Sequence, residues 1–352
     1  MEDKEFYENE WEQNMPPENE MPQIQKSIRR RNWKLIAISV ATAAMLLLVC
    51  VYGIIPLIES FYWHPDTEST AANASDLELT LHTYAELFCP GWEVSYVNWQ
   101  ERDGLAAYDL QIYIRDQRDL SSFYLNGTLE KGHLMFGSDF ADHMASPSWF
   151  SGMVEEFAPV EEDRLTETRE KLAQLPDYIA LEAAITFPED LDMAQLEEFY
   201  REYGVTTLVS PRMRIVWVGI RNSPADPVDT EAGRIGPMRL CGMDPFTGGT
   251  GFLGTDDTYP NFSNHWEYPH EEALENHFKS LLQYSSDRCA KDEGIPVWYG
   301  KDYYQTVLDY VEENGVMSYG AVVVASSQVL LELLDQGVIS YVSLLDAWID
   351  IG

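Results

Sequence analysis

Leu35 to Ile58 reads LIAISVATAAMLLLVCVYGIIPLI, with no charged residue. At about 1.5 Å rise per residue such a helix spans a hydrocarbon core of roughly 30 Å with some tilt to spare. A single segment crosses lipid only as a helix, because every backbone polar group must find its partner within the segment. The flanks give a direction. Lys26, Arg29, Arg30, Arg31 and Lys34 crowd the N-terminal side, whereas Glu59, Asp66 and Glu68 follow the stretch and the next basic residue is Arg102. Basic flanks stay in the cytoplasm, so the N-terminus is expected inside and the bulk of the chain outside. Trp33 on one side, and Phe61, Tyr62 and Trp63 on the other, suit the two interfaces. A cleaved signal peptide has an apolar core of about 7–15 residues followed by small residues. This core is longer and ends in Ile54-Ile55-Pro56-Leu57-Ile58, so we read a retained anchor.

The chain has 352 residues, enough outside the anchor for one large or two ordinary domains. Hydrophobic content of 45% and aromatic content of 12% support a packed core. A formal net charge of −36 excludes nucleic acid as a partner, since binding it needs a basic footprint. The same charge repels the outer part from anionic headgroups. Cys50 lies within the anchor, and Cys89, Cys241 and Cys289 lie beyond it. Spacing does not choose between one disulfide with a spare thiol and three free thiols. No C-x-x-C pair supports zinc or dithiol redox chemistry.

Residues 1–34 read as a cytoplasmic tail. Its start, MEDKEFYENEWEQNM, is acidic with aromatic points, and Tyr7, Trp11 and Met15 share one face of a helix that Pro16-Pro17 would end. With Phe6 they are the candidate partner-binding residues of a segment that folds on a basic cytoplasmic protein. The run Lys26, Arg29, Arg30, Arg31, Lys34 reads as a topology signal that also touches lipid.

Residues 59–76 are polar and read as a stalk, and 77–150 read as a strand-rich region opened by LELTLHTYAELF. WEVSYVNW and YDLQIYI alternate apolar with polar, the pattern of strands with one wet face. Asn126-Gly127 signals a hairpin turn between Ser122–Leu125 and Thr128-Leu129. Residues 151–175 form a charged connector with a helix at Asp163 to Gln174.

Residues 176–352 read as a C-terminal domain of two strand–helix–strand units. The first is a strand Tyr178–Phe187, a helix capped by Asp192 and Gln195 with the stripe Leu196, Phe199, Tyr200, Tyr203 and a terminal Gly204, then a strand Arg212–Arg221 apolar on both faces. A Gly/Pro-rich insertion, 222–268, follows. Helices are expected at Glu271–Ser286 and at Tyr303–Asn314, the second with Asp302 and Gln305 in capping-box positions and Gly315 at its end. The second unit is a strand Tyr319–Ala325, a helix Ser327–Asp335 ending at Gly337, and a strand Val338–Ile349. The fold class is α+β behind a single N-terminal transmembrane helix, with a C-terminal domain of two βαβ units that admits a ferredoxin-like arrangement.

No chemistry-bearing motif survives its context. Gly248-Gly249-Thr250-Gly251-Phe252-Leu253-Gly254 mimics a dinucleotide loop, but Met243-Asp244-Pro245 before it is no strand and Thr255–Pro260 after it opens no helix. His265 and His270 near Asp256, Asp257 and Glu267 lack helical ligand spacing and read as loop histidines. No G-x-S-x-G elbow occurs, and with 59 acidic residues a carboxylate pair means nothing by itself. The N-x-S/T sequons at Asn73, Asn126 and Asn261 matter only in a glycosylating pathway. No catalytic residue, metal ligand or cofactor is assigned, and the chain reads as no enzyme.

Three stretches carry a resemblance. The anchor region KSIRRRNWKLIAISVATAAMLLLVCVYG is one. LPDYIALEAAITFPEDLDMAQLEEFY followed by MRIVWVGI is the second, and YGAVVVASSQVLLELLDQGVISYVSLLDAWID is the third. Together they resemble the sigma-factor-regulator (anti-sigma) membrane proteins of Gram-positive bacteria, over about 175–352 and the anchor. The resemblance implies a single-pass cell-membrane protein whose cytoplasmic part holds an extracytoplasmic-function sigma factor inactive. It implies that the outer part senses an envelope signal or binds an accessory protein. With so short a tail, the sigma contact would rest on Phe6 to Met15 and the basic run. The alternative is an extracytoplasmic binding or scaffold protein with no sigma contact.

Overall fold

Buried and exposed faces separate the chain into two kinds of element in a computed structural model. It describes residues 21–68, 75–136, 149–150, 162–204, 213–223, 228–230, 233–235, 241–245, 259–262, 270–290 and 301–349. Two units result, Met1–Phe61 and Tyr62–Gly352.

The N-terminal unit holds α1 (Met21–Val49), one π-helical turn (Cys50–Ile54) and α2 (Ile55–Glu59). The span Gln25–Glu59 is long and apolar enough to cross a membrane once, and none of it is buried by protein. The basic run is helical and continuous with it, with all five basic side chains exposed. The widened turn lies just before Pro56. A proline has no N–H to donate, and its ring crowds the carbonyl four residues earlier, so a π turn there relieves the clash without ending the helix.

The second unit begins its regular structure with α3 (Asp76–Phe88), where a strand-rich opening was expected. Ser75 caps it, accepting the Glu78 N–H at 3.1 Å, and Asp76 and Glu78 complement the positive end of the helix dipole. Every residue of this helix except Glu78 is buried, so it is a core helix rather than a surface one. Four antiparallel strands follow in chain order: β1 (Trp92–Glu101), β2 (Ala107–Asp116), β3 (Ser122–Glu130) and β4 (His133–Phe136). Leu110, Ile112 and Ile114 point into the core. Tyr96, Tyr113 and Tyr124 line up across the other face, with ring centroids 4.8 and 5.1 Å apart.

The Asn126-Gly127 turn is corrected. Both residues lie inside β3, paired with Gln111 and Leu110 of β2. The turn is Lys131-Gly132, both at positive φ (51° and 78°), the two-residue hairpin geometry that matches strand twist. Gly127 serves close approach instead: a β-carbon there would lie 3.1 Å from the Met135 carbonyl.

The C-terminal part runs α4 (Glu162–Gln174), β5 (Ile179–Asp192), α5 (Met193–Tyr203), β6 (Met213–Ile220), β7 (Val228–Thr230), β8 (Gly233–Ile235), β9 (Cys241–Met243), α6 (Glu271–Ala290), α7 (Lys301–Asn314), β10 (Met317–Ser326), α8 (Ser327–Asp335) and β11 (Tyr341–Ile349). The main sheet has order β11-β5-β10-β6-β9, every neighbouring pair antiparallel. Its two βαβ units, β5-α5-β6 and β10-α8-β11, interleave: β10 lies between β5 and β6. The insertion adds β9 to one edge, while Gly248–Gly254, Asp256, Asp257, His265 and Glu267 fall outside the described residues. The capping box at Asp192 and Gln195 is formed in both directions, and Leu196 and Phe199 are buried. Gly204 ends that helix at φ −75°, not in the left-handed region; it is required because a β-carbon would lie 2.5 Å from the Tyr200 carbonyl. Asp302 sits within the first turn of α7, and Gln305 donates to Asp309 instead of closing a box.

One sheet face, with Leu181, Ala183 and Ile185, packs under α5 and α8 in the large core. On the other face glycines seat aromatic rings. Tyr319 lies on Gly219, Trp217 on Gly242 and Phe150 on Gly320, each so close that an added methyl would overlap the ring or the neighbouring backbone. Gly320→Ala should therefore destabilise the protein by about 3 kcal/mol, since nothing in this layer can yield. Gly337→Ala, at φ 70° with open space around it, should cost about 1 kcal/mol. Urea unfolding of the detergent-solubilised full-length protein measures both.

Candidate functional site

Burial decides which charges can matter in so acidic a chain, because a charge removed from water must be paired or neutralised. Three buried ionic clusters meet this condition. Each joins a residue of α3 or β2 to the C-terminal part.

At the N-terminal end of α3, Asp76 forms an ion pair with the Arg288 guanidinium at 2.6 Å and accepts from the Tyr284 hydroxyl at 3.1 Å. Thr80 bonds the same hydroxyl at 3.1 Å. The guanidinium lies 4.7 Å over the Trp63 ring. Trp63, expected at a membrane interface, is instead buried here, whereas Phe61 is exposed. Burial and the Asp76 charge push the Tyr284 phenol above its ordinary range.

One helical stretch further, Glu86 meets His277 Nε2 at 2.5 Å and His82 Nε2 at 3.4 Å. The other nitrogen of His277, Nδ1, lies 2.9 Å from the Asn261 carbonyl, which only accepts, so Nδ1 carries a proton. A second proton must lie between Nε2 and the carboxylate, and the direction in which each group shifts favours the imidazolium–carboxylate form. Burial alone would raise the Glu86 carboxyl, but His277 and His82 overcome it and hold it down to about 2. Burial would lower His277, and Glu86 with the more distant Asp244 raises it above 6.5. The backbone of Glu86 also takes the Trp217 indole N–H at 2.9 Å, tying α3 to the sheet.

The third cluster lies where β2 meets β5. Arg118 gives Asp116 bonds of 2.8 and 2.6 Å and Glu182 one of 3.1 Å, while Arg214 donates to the Arg118 carbonyl. Desolvation raises the Glu182 carboxyl, and Arg118 only partly offsets that.

None of these residues was assigned a role from sequence, because single charged residues far apart carry no motif. The usable signal was Asp76, His82 and Glu86 within an otherwise apolar helix. Phe6, Tyr7, Trp11 and Met15 lie outside the described residues. Lys26, Arg29, Arg30, Arg31 and Lys34 are brought together on one helix, with Lys26, Arg30 and Lys34 on one side of it. Cys50, Cys89, Cys241 and Cys289 form no disulfide with one another. Burial raises the Cys241 and Cys289 thiols to about 11, so neither is a nucleophile at neutral pH. Among the described residues no three His, Cys, Asp or Glu side chains gather closely enough to hold a metal ion.

The Glu86–His277 pair gives a pH prediction. A raised His277 stabilises the fold fully below 6.5 and loses that contribution as pH rises through its folded value. A depressed Glu86 contributes above 4.5 and loses it only toward about 2. Thermal stability should fall as pH climbs above 6.5, and Glu86→Gln should flatten that fall. Glu86→Ala, leaving a buried imidazole unpaired, should cost about 3–5 kcal/mol at pH 6. Thermal unfolding scans across pH check all three.

No curated protein and no solved structure matches the chain. Residues 172–345 match the sigma factor regulator C-terminal family, which is a family of regulators and not of enzymes. The match starts in α4 and ends in β11, so it takes in both βαβ units and the insertion but leaves out α3 and the four-stranded sheet. Residues 172–345, just under half of this chain, thus form a sigma factor regulator C-terminal domain.

Proposed function

We propose that the protein is a membrane-anchored anti-sigma factor. It holds an extracytoplasmic-function sigma factor at the cell membrane and responds to an envelope signal through its outer unit. The observation that carries this is the family membership of residues 172–345. Supporting it is the apolar helix Gln25–Glu59, led by five basic residues and followed by acidic ones. That asymmetry favours an N-terminus in the cytoplasm and a C-terminus outside. Residues 1–34 then face the sigma factor, and Tyr62–Gly352 faces the envelope.

In this reading the tail binds as a short helix. Phe6, Tyr7, Trp11 and Met15 supply the apolar anchors, and the surrounding carboxylates meet a basic surface, such as the DNA-binding face of the sigma factor. Such a segment orders only on its partner, because an isolated helix this short is marginal in water. No step of catalysis is needed: regulation follows from occupancy of the sigma factor.

Affinity recovery from solubilised membranes tests this. The full-length protein should bring down a sigma factor, and a variant lacking residues 2–20 should not. Tyr7→Ala with Trp11→Ala should raise transcription of the sigma-dependent genes several-fold. Recovery by both forms would move the contact to the basic run. Recovery by neither sinks the anti-sigma reading.

A further inference from the structure

A cleft of about 490 Å³ opens beside the third ionic cluster, between the end of β2 and the β5–β11 edge of the main sheet. That volume is in the range of small-molecule sites. We propose that it binds a small organic cation, an ammonium or guanidinium group on an apolar body.

Three features of the cleft select that chemistry. First, Trp149 and Trp348 both line it, and Leu344 and Leu345 complete an apolar wall. Indole faces are the strongest aromatic partners for a cation. Second, the charges do not balance. Among the described lining residues Asp116, Asp119, Glu182 and Asp346 face one cation, Arg118, with Arg214 behind it on the Arg118 carbonyl. The Arg118 guanidinium is already committed to Asp116 and Glu182. Asp346 stands directly across the ladder from Glu182, a placement in which like charges repel. Third, Glu182 is only 4% exposed, yet one carboxylate oxygen alone is bonded, to Arg118. Its other oxygen has no hydrogen-bond partner among the described residues, and burial together with Asp116 and Asp346 disfavours its charge. An incoming cation would satisfy that oxygen and relieve both repulsions.

The same features reject other occupants. An anion meets excess negative charge. A bare divalent ion needs three or more ligands converging on one point, and the carboxylates here are too dispersed for that. A large, soft cation on an apolar body uses the indoles and the dispersed carboxylates together.

The inference rests on the sensor reading only for its biological role; binding can be tested alone. The full-length protein in a neutral detergent is titrated calorimetrically with benzyltrimethylammonium, benzenesulfonate and benzyl alcohol. Saturable one-to-one binding of the ammonium probe alone is expected. Asp346→Asn, whose side chain is exposed, and Trp348→Leu should each weaken binding about tenfold while leaving thermal stability nearly unchanged. No saturable binding, equal binding of the neutral or anionic probe, or binding indifferent to both substitutions overturns the proposal. The same samples are assayed for sigma-factor recovery. Recovery without probe binding defeats the cleft alone, and probe binding without recovery leaves the cleft standing and defeats the anti-sigma reading.

Discussion

Burying ionised groups in this protein is tolerable only because each meets a partner across a junction of two sequence-distant parts. Asp76 without Arg288, or Glu86 without His277, would leave a charge in a medium where desolvation costs several kcal/mol per ion. Neither half can therefore bury its side of the junction alone. Helix α3 is buried on all sides, and what it is buried against includes α6, the helix that brings Tyr284, His277 and Arg288. Hydrophobic contact holds such a surface together but does not set its register. The ionic pairs do, since a shift of one helical turn would strand every charge at once. The family match covers one side of this junction only, yet the physical unit runs from Tyr62 to the C-terminus.

The sequence was readable wherever period and burial agree. RMRIVWVGI gives a central strand because apolar residues on both faces allow nothing else, and the Asp192–Gln195 box forms because both partners lie within one helical turn. It misled where a residue type has two uses. Asn126-Gly127 has the chemistry of a hairpin turn, but Gly127 is there so that Met135 and Phe136 of β4 can come close, and Lys131-Gly132 makes the turn. Gly204 stands where a helix-ending glycine is expected, but it is needed there to clear the Tyr200 carbonyl. LELTLHTYAELF alternates poorly and carries polar residues, so its burial on every side was invisible until its partners were known.

The candidate site was the least legible part for the same reason. An ionic pair such as Glu86 with His277 joins residues far apart in the chain, and in a sequence with 59 acidic residues nothing marks one carboxylate from another. What separates them is solvent access, a property of the fold. The aromatic rings seated on Gly219, Gly242 and Gly320 behave alike: Tyr319 meets Gly219 only because the interleaved βαβ units set β10 beside β6, and Trp217 meets Gly242 only because β9 joins the sheet edge.

The cleft draws its charge from this same junction. Arg118 bridges the junction by binding Asp116 on β2 and Glu182 on β5 together, so the two sheets share one guanidinium. A cation arriving at the second oxygen of Glu182 would compete for that carboxylate and weaken the hold of β5 on Arg118, while the bidentate contact to Asp116 remains. Binding energy would thus be delivered to the contact that fixes one sheet against the other. A rigid, fully apolar interface offers no such handle, because nothing in it responds to charge. An ionic junction with a carboxylate at a cleft does, and it supplies a physical route by which a bound cation would shift the packing of residues 172–345 against the region before them.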